Sequence, residues 1–300
     1  FGLITKKSHI WYLHFQNYKN MKRITILLFV TFLSLNAVSQ ERIYSNEKDK
    51  EIFQKYIKEV GAGKYQSFND LIVATAKFFL ETPYVGHTLE IEPEGLVVNL
   101  RELDCTTFVE TVLALSRTVR DGNATFEKFM DNLKNIRYRN GVINDYSDRL
   151  HYTTDWIFEN ERKGLVKNIT KDASGKDLDL NLYIMSSNPD RYKQLKGKEV
   201  LTSKIKEIEK RATARKNWFI PNTEIEKNGS AYKSGDIVAF VTTIKGIDIS
   251  HVAFIYKENG RLTFIHASSS EKRVVIEKHT LEEHAQNSKT NIGIMVARPL

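Results

Sequence analysis

A single cysteine, Cys105, is present among 300 residues, so the chain cannot form an internal disulfide. It also has no glycine-rich phosphate loop, and its aspartates are not spaced as in a calcium-binding loop. Residues 279–284 lack the His-Glu-x-x-His order of zinc hydrolases, so we interpret them as a charged surface turn. The sequence therefore predicts no metal and no other cofactor.

Acidic residues are missing from the first 39 positions, which carry five basic residues. The formal net charge of the whole chain is +8, and without these positions it falls to +3. The basic excess is therefore concentrated in the leader, which argues against a polyanionic partner, and no nucleic acid is predicted to bind. The overall composition, 41% hydrophobic and 27% charged, is typical of a globular protein with one or two domains.

The leader has the anatomy of a signal peptide over residues 21–39. It begins at Met21 with the basic pair Lys22 and Arg23, continues through an apolar core and ends in small residues, so Gln40 is the predicted mature N-terminus. Residues 1–20 contain no methionine and are interpreted as untranslated upstream sequence. The apolar stretch is short for a membrane span, and no cysteine marks the junction for lipid attachment. We expect a periplasmic or secreted protein without stable membrane insertion after cleavage.

The order of the secondary structure elements predicts an α+β fold. Helical spacing of apolar residues comes first, whereas the last third of the chain contains segments typical of strands. Helices followed by antiparallel strands favour one α+β domain over residues 40–300. Residues 159–233 are charged and poor in long apolar runs, so we expect an insertion that decorates this domain. The predicted helices cover 41–61, 68–80 and the segment after Cys105, and the predicted strands cover 236–242, 249–256, 262–267, 273–277 and 292–298.

Cys105 stands where strand-like sequence meets an apolar helix, directly after Asp104. Asp104 is a favourable N-cap, which would place the thiol in the first helical turn. The unpaired N–H groups and the helix dipole favour a thiolate there and could bind an oxyanion beside the sulfur. An unpaired cysteine in an exported protein is either a reactive thiol or an inert buried side chain. The residues around Cys105 are needed to distinguish these two interpretations.

Two histidines fall in a predicted hairpin whose strands are joined through Asn259 and Gly260, the strongest short signal for a two-residue turn. With that turn, His251 and His266 are diagonal neighbours on one face, about 7–8 Å apart at Cα. A two-residue turn shifted by one position would place them directly opposite each other. A three-residue turn would place them on opposite faces, so the geometry depends on the turn.

The two histidines allow two interpretations. Each could be a core histidine whose ring is satisfied by a backbone partner. A pair on one face, in a chain with one poised cysteine, favours a relay instead. In that relay His251 accepts the thiol proton of Cys105, and His266 holds the imidazole of His251 in the useful tautomer.

Five short segments follow one another along the chain: Thr82-Pro83-Tyr84, Asp104-Cys105-Thr106, Ser234-Gly235-Asp236-Ile237-Val238, Ser250-His251-Val252-Ala253 and Phe264-Ile265-His266-Ala267-Ser268. Taken in this order, they resemble the NlpC-type papain-like cysteine hydrolases of bacterial cell walls. They are similar to the family's Pro-Tyr element, its nucleophile motif, its Gly-Asp strand entry, its base-bearing strand and the strand of its third catalytic residue. Residues 105–110 and 149–152 also resemble the branch of this family that is described as N-acetylmuramoyl-L-alanine amidase-like. The sequence departs from the family at Gly86-His87 and in the long 159–233 segment.

The resemblance implies a papain-like arrangement, in which the nucleophile lies at a helix N-terminus packed on a C-terminal antiparallel sheet. It implies that Cys105 attacks an amide carbonyl, that His251 is base and then acid, and that His266 orients it. Tyr84 and Asp104 are candidate substrate-binding residues, although Asp104 is at least as well explained as an N-cap.

The implied substrate is peptidoglycan or its fragments. The reaction expected from the branch is hydrolysis of the amide between N-acetylmuramic acid and L-alanine. Two alternatives stay open: an endopeptidase that cuts between D-glutamate and the diamino acid of the stem peptide, and a non-catalytic wall-binding protein with an inert cysteine.

Overall fold

The computed structural model describes residues 42–122 and 124–300, and the predicted signal peptide and upstream segment lie outside them. Five of the described α-helices begin after a residue whose side chain accepts a hydrogen bond from the first helical turn: Asn46, Ser67, Asp104, Thr125 and Thr280. The first helix continues into one π-helical turn at Ile57–Gly61. The α-helices are α1 (Glu47–Tyr56), α2 (Phe68–Phe78), α3 (Cys105–Arg120), α4 (Phe126–Arg137), α5 (Thr153–Arg162), α6 (Ile184–Ser187), α7 (Glu199–Thr213) and α8 (Leu281–Asn287).

The strands of the last third lie close to their predicted positions. Each predicted segment there forms a strand with bounds shifted by at most a few residues. A short parallel pair near the N-terminus joins the two earliest strands. The strands are β1 (Ile43–Tyr44), β2 (Leu96–Val97), β3 (Val166–Asn168), β4 (Lys176–Leu178), β5 (Asn217–Pro221), β6 (Ile237–Thr242), β7 (Ile249–Glu258), β8 (Arg261–Ser268), β9 (Arg273–Ile276) and β10 (Asn291–Pro299).

The main sheet has the strand order β4-β5-β10-β6-β7-β8-β9, and β3 pairs with β10 beside β5. Every pairing in it is antiparallel. Among the described residues this architecture of early helices and a later antiparallel sheet confirms the α+β prediction.

The sheet carries a hydrophobic core on each face. On one face α2 and α3 pack against β7 and β8, and the rings of Phe108 and Phe254 meet edge to face with centroids 5.8 Å apart. On the other face, Phe240 and Phe264 pack beneath α8, which buries Leu281. Because side chains alternate along a strand, the residues of β7 and β8 divide between these two cores.

The Gly235-Asp236 segment positions the start of β6. Gly235 has a φ of +86°, and an added Cβ would lie 2.7 Å from the carbonyl oxygen of Asn69. Asp236 is fully buried, and its carboxylate accepts hydrogen bonds from Arg298 at 2.9 and 2.7 Å and from Asn69 at 3.1 Å. This pairing satisfies a charge that would otherwise be costly to bury, and it ties β6 to β10 and to α2.

Residues 159–233 contribute more to the core than the sequence predicts. The strands β3 and β5 from this segment pair with β10, and so extend the main sheet. Leu195, Ile205, Ile220 and Ile225 are at most 1% exposed. Although this segment is poor in long apolar runs, it supplies both strands and buried side chains to the domain.

Residues 42–300 cluster into one compact unit. Within the described part of this unit, no helix has both the length and the apolar character needed to cross a membrane. The predicted domain boundaries and signal peptide stay predictions.

Candidate active site

Cys105 is the first residue of α3, and Asp104 caps that helix. Asp104 Oδ1 accepts hydrogen bonds from the backbone N–H and the hydroxyl of Thr107, at 2.8 and 2.9 Å. The Thr107 hydroxyl in turn accepts a 2.8 Å hydrogen bond from the Asp104 backbone N–H, which completes a capping box. The N-cap role that the sequence suggests for Asp104 is confirmed.

The sulfur of Cys105 lies against β7. The backbone N–H of Val252, the residue after His251, donates a hydrogen bond to it, and so do the backbone N–H and the hydroxyl of Thr106. These donors lower the pKa of the thiol. Burial, and secondly the carboxylate of Asp104, outweigh them and raise the pKa of Cys105 to about 11.

The expectation that the helix N-terminus makes Cys105 a thiolate is therefore wrong for this structure. A helix N-terminus stabilises a negative charge by only about 0.3–1 kcal/mol, which is less than the cost of burying an ionised group among apolar side chains. Cys105 is half-buried and packs against the core on the α3 face. It is a neutral thiol at neutral pH.

The hairpin of β7 and β8 has the predicted two-residue turn. Glu258 pairs with Arg261, and the two turn residues Asn259 and Gly260 have φ values of +51° and +82°, as a type I′ turn requires. The prediction that His251 and His266 share one face is confirmed, because His251 Nε2 lies 2.8 Å from His266 Nδ1. The other turn geometries are thereby excluded.

A β-bulge directly before His251 sets the direction of its side chain. His251 pairs with Phe240 and Ile249 with Val241, so Ser250 is an extra residue on β7. Such bulges bend a strand and re-aim side chains. The ring of His251 lies 5.9 Å from that of Phe240, and its Nε2 is occupied by His266. Nδ1 is then the ring nitrogen of His251 that has no hydrogen bond to His266.

Both histidines are held neutral. Burial, followed by the proximity of His266 and His284, lowers the pKa of His251 well below its usual value. Burial likewise lowers the pKa of His266 to about 4, against the opposing effect of Glu277. At neutral pH the pair is therefore a hydrogen bond between two neutral imidazoles, and each ring has one nitrogen without a proton.

Tyr84 is positioned by the chain that leads into α3. It forms a parallel bridge with Leu103, two residues before Cys105, and its backbone N–H donates to Lys272 at 2.8 Å. Burial raises the pKa of the Tyr84 hydroxyl, and the proximity of Cys105 and Asp104 raises it further. Tyr84 thus lies near the thiol as a protonated hydroxyl.

A small cavity of about 30 Å³ lies beside the thiol, between α3, α5 and β7. Thr106 and Val252, both in contact with Cys105, line it together with His151 and Trp156. His151 Nε2 lies 2.8 Å from the carbonyl oxygen of Tyr146, and burial lowers the pKa of His151 to about 3. This cavity is large enough only for a small group.

Sequence reasoning missed Glu277 and His284. The sequence predicts a surface turn at residues 279–284, whereas α8 places the ring of His284 6.1 Å from that of His266. One carboxylate oxygen of Glu277, Oε2, lies 3.2 Å from His284 Nδ1 and 3.6 Å from His266 Nε2. No motif marks either residue, and only the turn from β9 into α8 brings them to the pair. In residues 42–122 and 124–300 no group of three or more His, Cys, Asp or Glu side chains is arranged to hold a metal ion.

Comparison with known proteins agrees with this architecture. The model of the AmiA-like family, described as N-acetylmuramoyl-L-alanine amidase-like, matches residues 74–294, and the chain belongs to this family. The match contains Cys105, His251 and His266. No curated protein matches the chain.

Solved structures with the same fold include two from Bacteroides and one from Legionella. An N-acetylmuramoyl-L-alanine amidase from Bacteroides uniformis is 35% identical over 78% of this chain and 99% of its own, with a TM-score of 0.75. A candidate xylanase from Bacteroides fragilis is 36% identical over 75% and 99%, with a TM-score of 0.72. A Legionella pneumophila protein, 23% identical over 85% and 95% with a TM-score of 0.62, shares the fold.

Proposed function

We propose that this protein is an exported cysteine amidase of the papain-like, NlpC-type superfamily, which hydrolyses the amide between N-acetylmuramic acid and L-alanine. The observation that carries the proposal is the position of Cys105, the first residue of α3, whose sulfur accepts a hydrogen bond from the residue after His251. The thiol thus lies at a helix N-terminus beside the strand that carries His251, and acyl transfer by a thiol needs a base of this kind. The family and the amidase from Bacteroides uniformis support the substrate class.

The reaction begins from a neutral thiol and a neutral imidazole. As the sulfur of Cys105 attacks the amide carbonyl carbon, its proton passes to Nδ1 of His251. The carbonyl oxygen becomes an oxyanion, and the backbone N–H of Cys105, which has no helical partner at this position, can donate to it. Tyr84 is a candidate second donor, because its hydroxyl stays protonated near the sulfur.

The second half of the reaction returns the proton. His251 gives it to the leaving amine, the carbon–nitrogen bond breaks, and the carbonyl carbon stays on sulfur as a thioester. A water molecule then attacks the thioester and loses its proton to His251, which restores the thiol and releases a carboxylic acid. His266, hydrogen-bonded to His251 Nε2, holds the ring in place through both steps.

Export to the periplasm or the outside of the cell is part of the proposal, and it is supported by the signal-peptide pattern of residues 21–39. There peptidoglycan fragments would be within reach. Glycoside hydrolysis fits the site less well, because it ordinarily uses two carboxylates on either side of the scissile bond, whereas this centre is built of a thiol and imidazoles.

Digestion of purified muropeptides, followed by mass spectrometry, tests the proposal. The amidase releases a peptide that begins with L-alanine, whereas the endopeptidase alternative releases an L-Ala-D-Glu fragment. Cys105→Ala should abolish release without changing the circular dichroism spectrum, because the substitution removes the nucleophile alone. Val200→Ala, a change at a side chain that is 77% exposed on α7, is the control and should keep full activity.

Two results would contradict the proposal. Peptide release that survives in Cys105→Ala would show that the thiol is not the nucleophile. Binding of peptidoglycan without any release, unchanged in Cys105→Ala, would favour the wall-binding alternative.

A further inference from the structure

We propose that Glu277 is a positioning residue, which fixes the tautomers of His266 and His251 and thereby keeps His251 Nδ1 free to accept the thiol proton. The inference deepens the proposed function and rests on it, because it assigns a fourth member to the relay of Cys105, His251 and His266. It starts from the carboxylate of Glu277, which lies at the far end of the histidine pair.

His251, His266 and Glu277 lie in a row, so the position of the ring proton on one histidine determines its position on the other. A neutral imidazole carries one ring proton, so a hydrogen bond between two neutral rings has one donor and one acceptor. If His251 Nδ1 is to accept the thiol proton, the ring proton of His251 must be on Nε2 and must be donated to His266 Nδ1. The proton of His266 is then on Nε2, which faces Oε2 of Glu277 at 3.6 Å.

His266 Nε2 is buried and has no hydrogen-bond partner among the described residues. The side chain of His266 is only 4% exposed. A carboxylate attracts an N–H group and repels a bare nitrogen lone pair, so Glu277 favours the tautomer with the proton on Nε2. A movement of less than about 1 Å would turn the present 3.6 Å approach into a charge-assisted hydrogen bond.

Glu277 is held at this place by its own partners. Its backbone N–H donates to the carbonyl of Phe264 at 2.9 Å, which fixes it beside β8. The backbone N–H of His279 donates to Oε1 at 3.0 Å, and His279 Nδ1 lies at the same distance. His284 Nδ1 lies 3.2 Å from Oε2. The carboxylate therefore has a defined orientation, as a positioning residue needs.

The charges around Glu277 keep it ionised. Burial opposes it, but the backbone N–H and the ring of His279 and the proximity of His284 and His266 together lower the pKa of Glu277. The cavity on its outer side, about 510 Å³, is also lined by Glu271, Arg273 and Lys278. His251 is the remaining titratable neighbour of His266, across the 2.8 Å hydrogen bond. Glu277 is thus an anion throughout the neutral range.

The substitution Glu277→Gln tests this role, because it keeps the shape and removes the charge. The amide can donate to His266 Nε2, which would favour a bare nitrogen there and the proton on His266 Nδ1. That proton would then be donated to His251 Nε2, and His251 Nδ1 would carry the proton that blocks its function as a base. Glu271→Gln removes a carboxylate from the same cavity and is the matched control.

Nitrogen-15 NMR of the ring nitrogens measures the tautomers directly. In the wild-type protein at pH 7.5, both His251 and His266 should carry their ring proton on Nε2, and in Glu277→Gln a large fraction of both should carry it on Nδ1. Glu271→Gln should leave both rings as in the wild type. Single His251→Gln and His266→Gln variants assign the two signals.

Kinetics with muropeptides give the second measurement. We expect kcat to fall by about 10-fold to 100-fold in Glu277→Gln with KM unchanged, less than the roughly 10⁴-fold loss when a carboxylate bonded directly to a catalytic histidine loses its charge. Glu277→Asp keeps the charge and should recover part of kcat, whereas a merely structural role would give no such recovery.

The two failures can be distinguished. If the wild-type protein shows no Cys105-dependent release, the proposed function is wrong, and the NMR measurement alone decides the role of Glu277. A proton on His266 Nδ1 in the wild type would overturn the inference. So would a Glu277→Gln variant in which the tautomers and kcat both match the wild type.

Discussion

The high pKa of Cys105 leads to a prediction about the reactivity of the free protein: alkylation by iodoacetamide should be slow at pH 8. The thiolate is the species that reacts. With a pKa of about 11 only about one thiol in a thousand is ionised at pH 8, against about one in ten for a thiol at the unperturbed value of 9.0. Ionisation alone therefore predicts a rate about 100-fold below that of a free cysteine.

The greater nucleophilicity of a more basic thiolate reduces this difference. With a Brønsted coefficient of about 0.4–0.5, the thiolate of Cys105 should be intrinsically about sixfold to tenfold more reactive. The expected net rate at pH 8 is then about tenfold below that of free cysteine, and burial of the sulfur lowers it further. Slow alkylation at pH 6 consequently does not separate a catalytic from an inert cysteine in this fold.

Stopped assays with iodoacetamide from pH 6 to pH 11 measure the rate, and mass spectrometry confirms the adduct at Cys105. Asp104→Asn is the matched variant, because asparagine is an equally good N-cap but lacks the charge that raises the pKa of the thiol. It should react faster than the wild type at pH 8. A wild-type profile with its midpoint below pH 9 would refute the reasoning, since it would mean that the helix N-terminus outweighs burial.

Two further predictions concern stability around the site. Arg137→Met should lower the free energy of unfolding by about 3–5 kcal/mol in urea titration, because Arg137 donates at 2.6 Å to the carboxylate of Glu110, which is only 2% exposed. Burial raises the pKa of Glu110 in the folded protein. The loss of unfolding free energy in Arg137→Met should therefore become smaller as the pH falls through this pKa, because the carboxylate takes up a proton and no longer needs a cation. A loss that does not change with pH would contradict this. Gly235→Ala should lower the free energy of unfolding by about 1–3 kcal/mol in the same assay, because φ is +86° and the new Cβ would meet the Asn69 carbonyl. An unchanged urea midpoint would show instead that the turn relaxes freely.

The histidine pair could be predicted from the sequence because its geometry is local. Asn259 and Gly260 readily adopt positive φ, a two-residue turn fixes the register, and the register fixes which side chains share a face. The cap of α3 is equally local, since Asp104 and Thr107 are three residues apart. Features that are set by residues this close in sequence can be predicted without knowing the rest of the fold.

The features that the sequence does not predict depend on contacts between distant parts of the chain. The pKa of Cys105 depends on how closely α3 packs against β7, which no local pattern reveals. Glu277 reaches His266 only because the chain turns from β9 into α8. The short strands β3 and β5 offer too few apolar residues in sequence to show that they extend the sheet.

The hairpin that carries His251 and His266 also orders events during synthesis. The ribosome makes the chain from the N-terminus, so Cys105 emerges well before His251 and His266. Contacts within a hairpin close quickly, whereas the contact between α3 and β7 spans nearly half of the chain and must wait for it. On the proposed mechanism, a chain made only as far as α3 would have its nucleophile but no base, and hydrolysis would become possible only when the hairpin has folded.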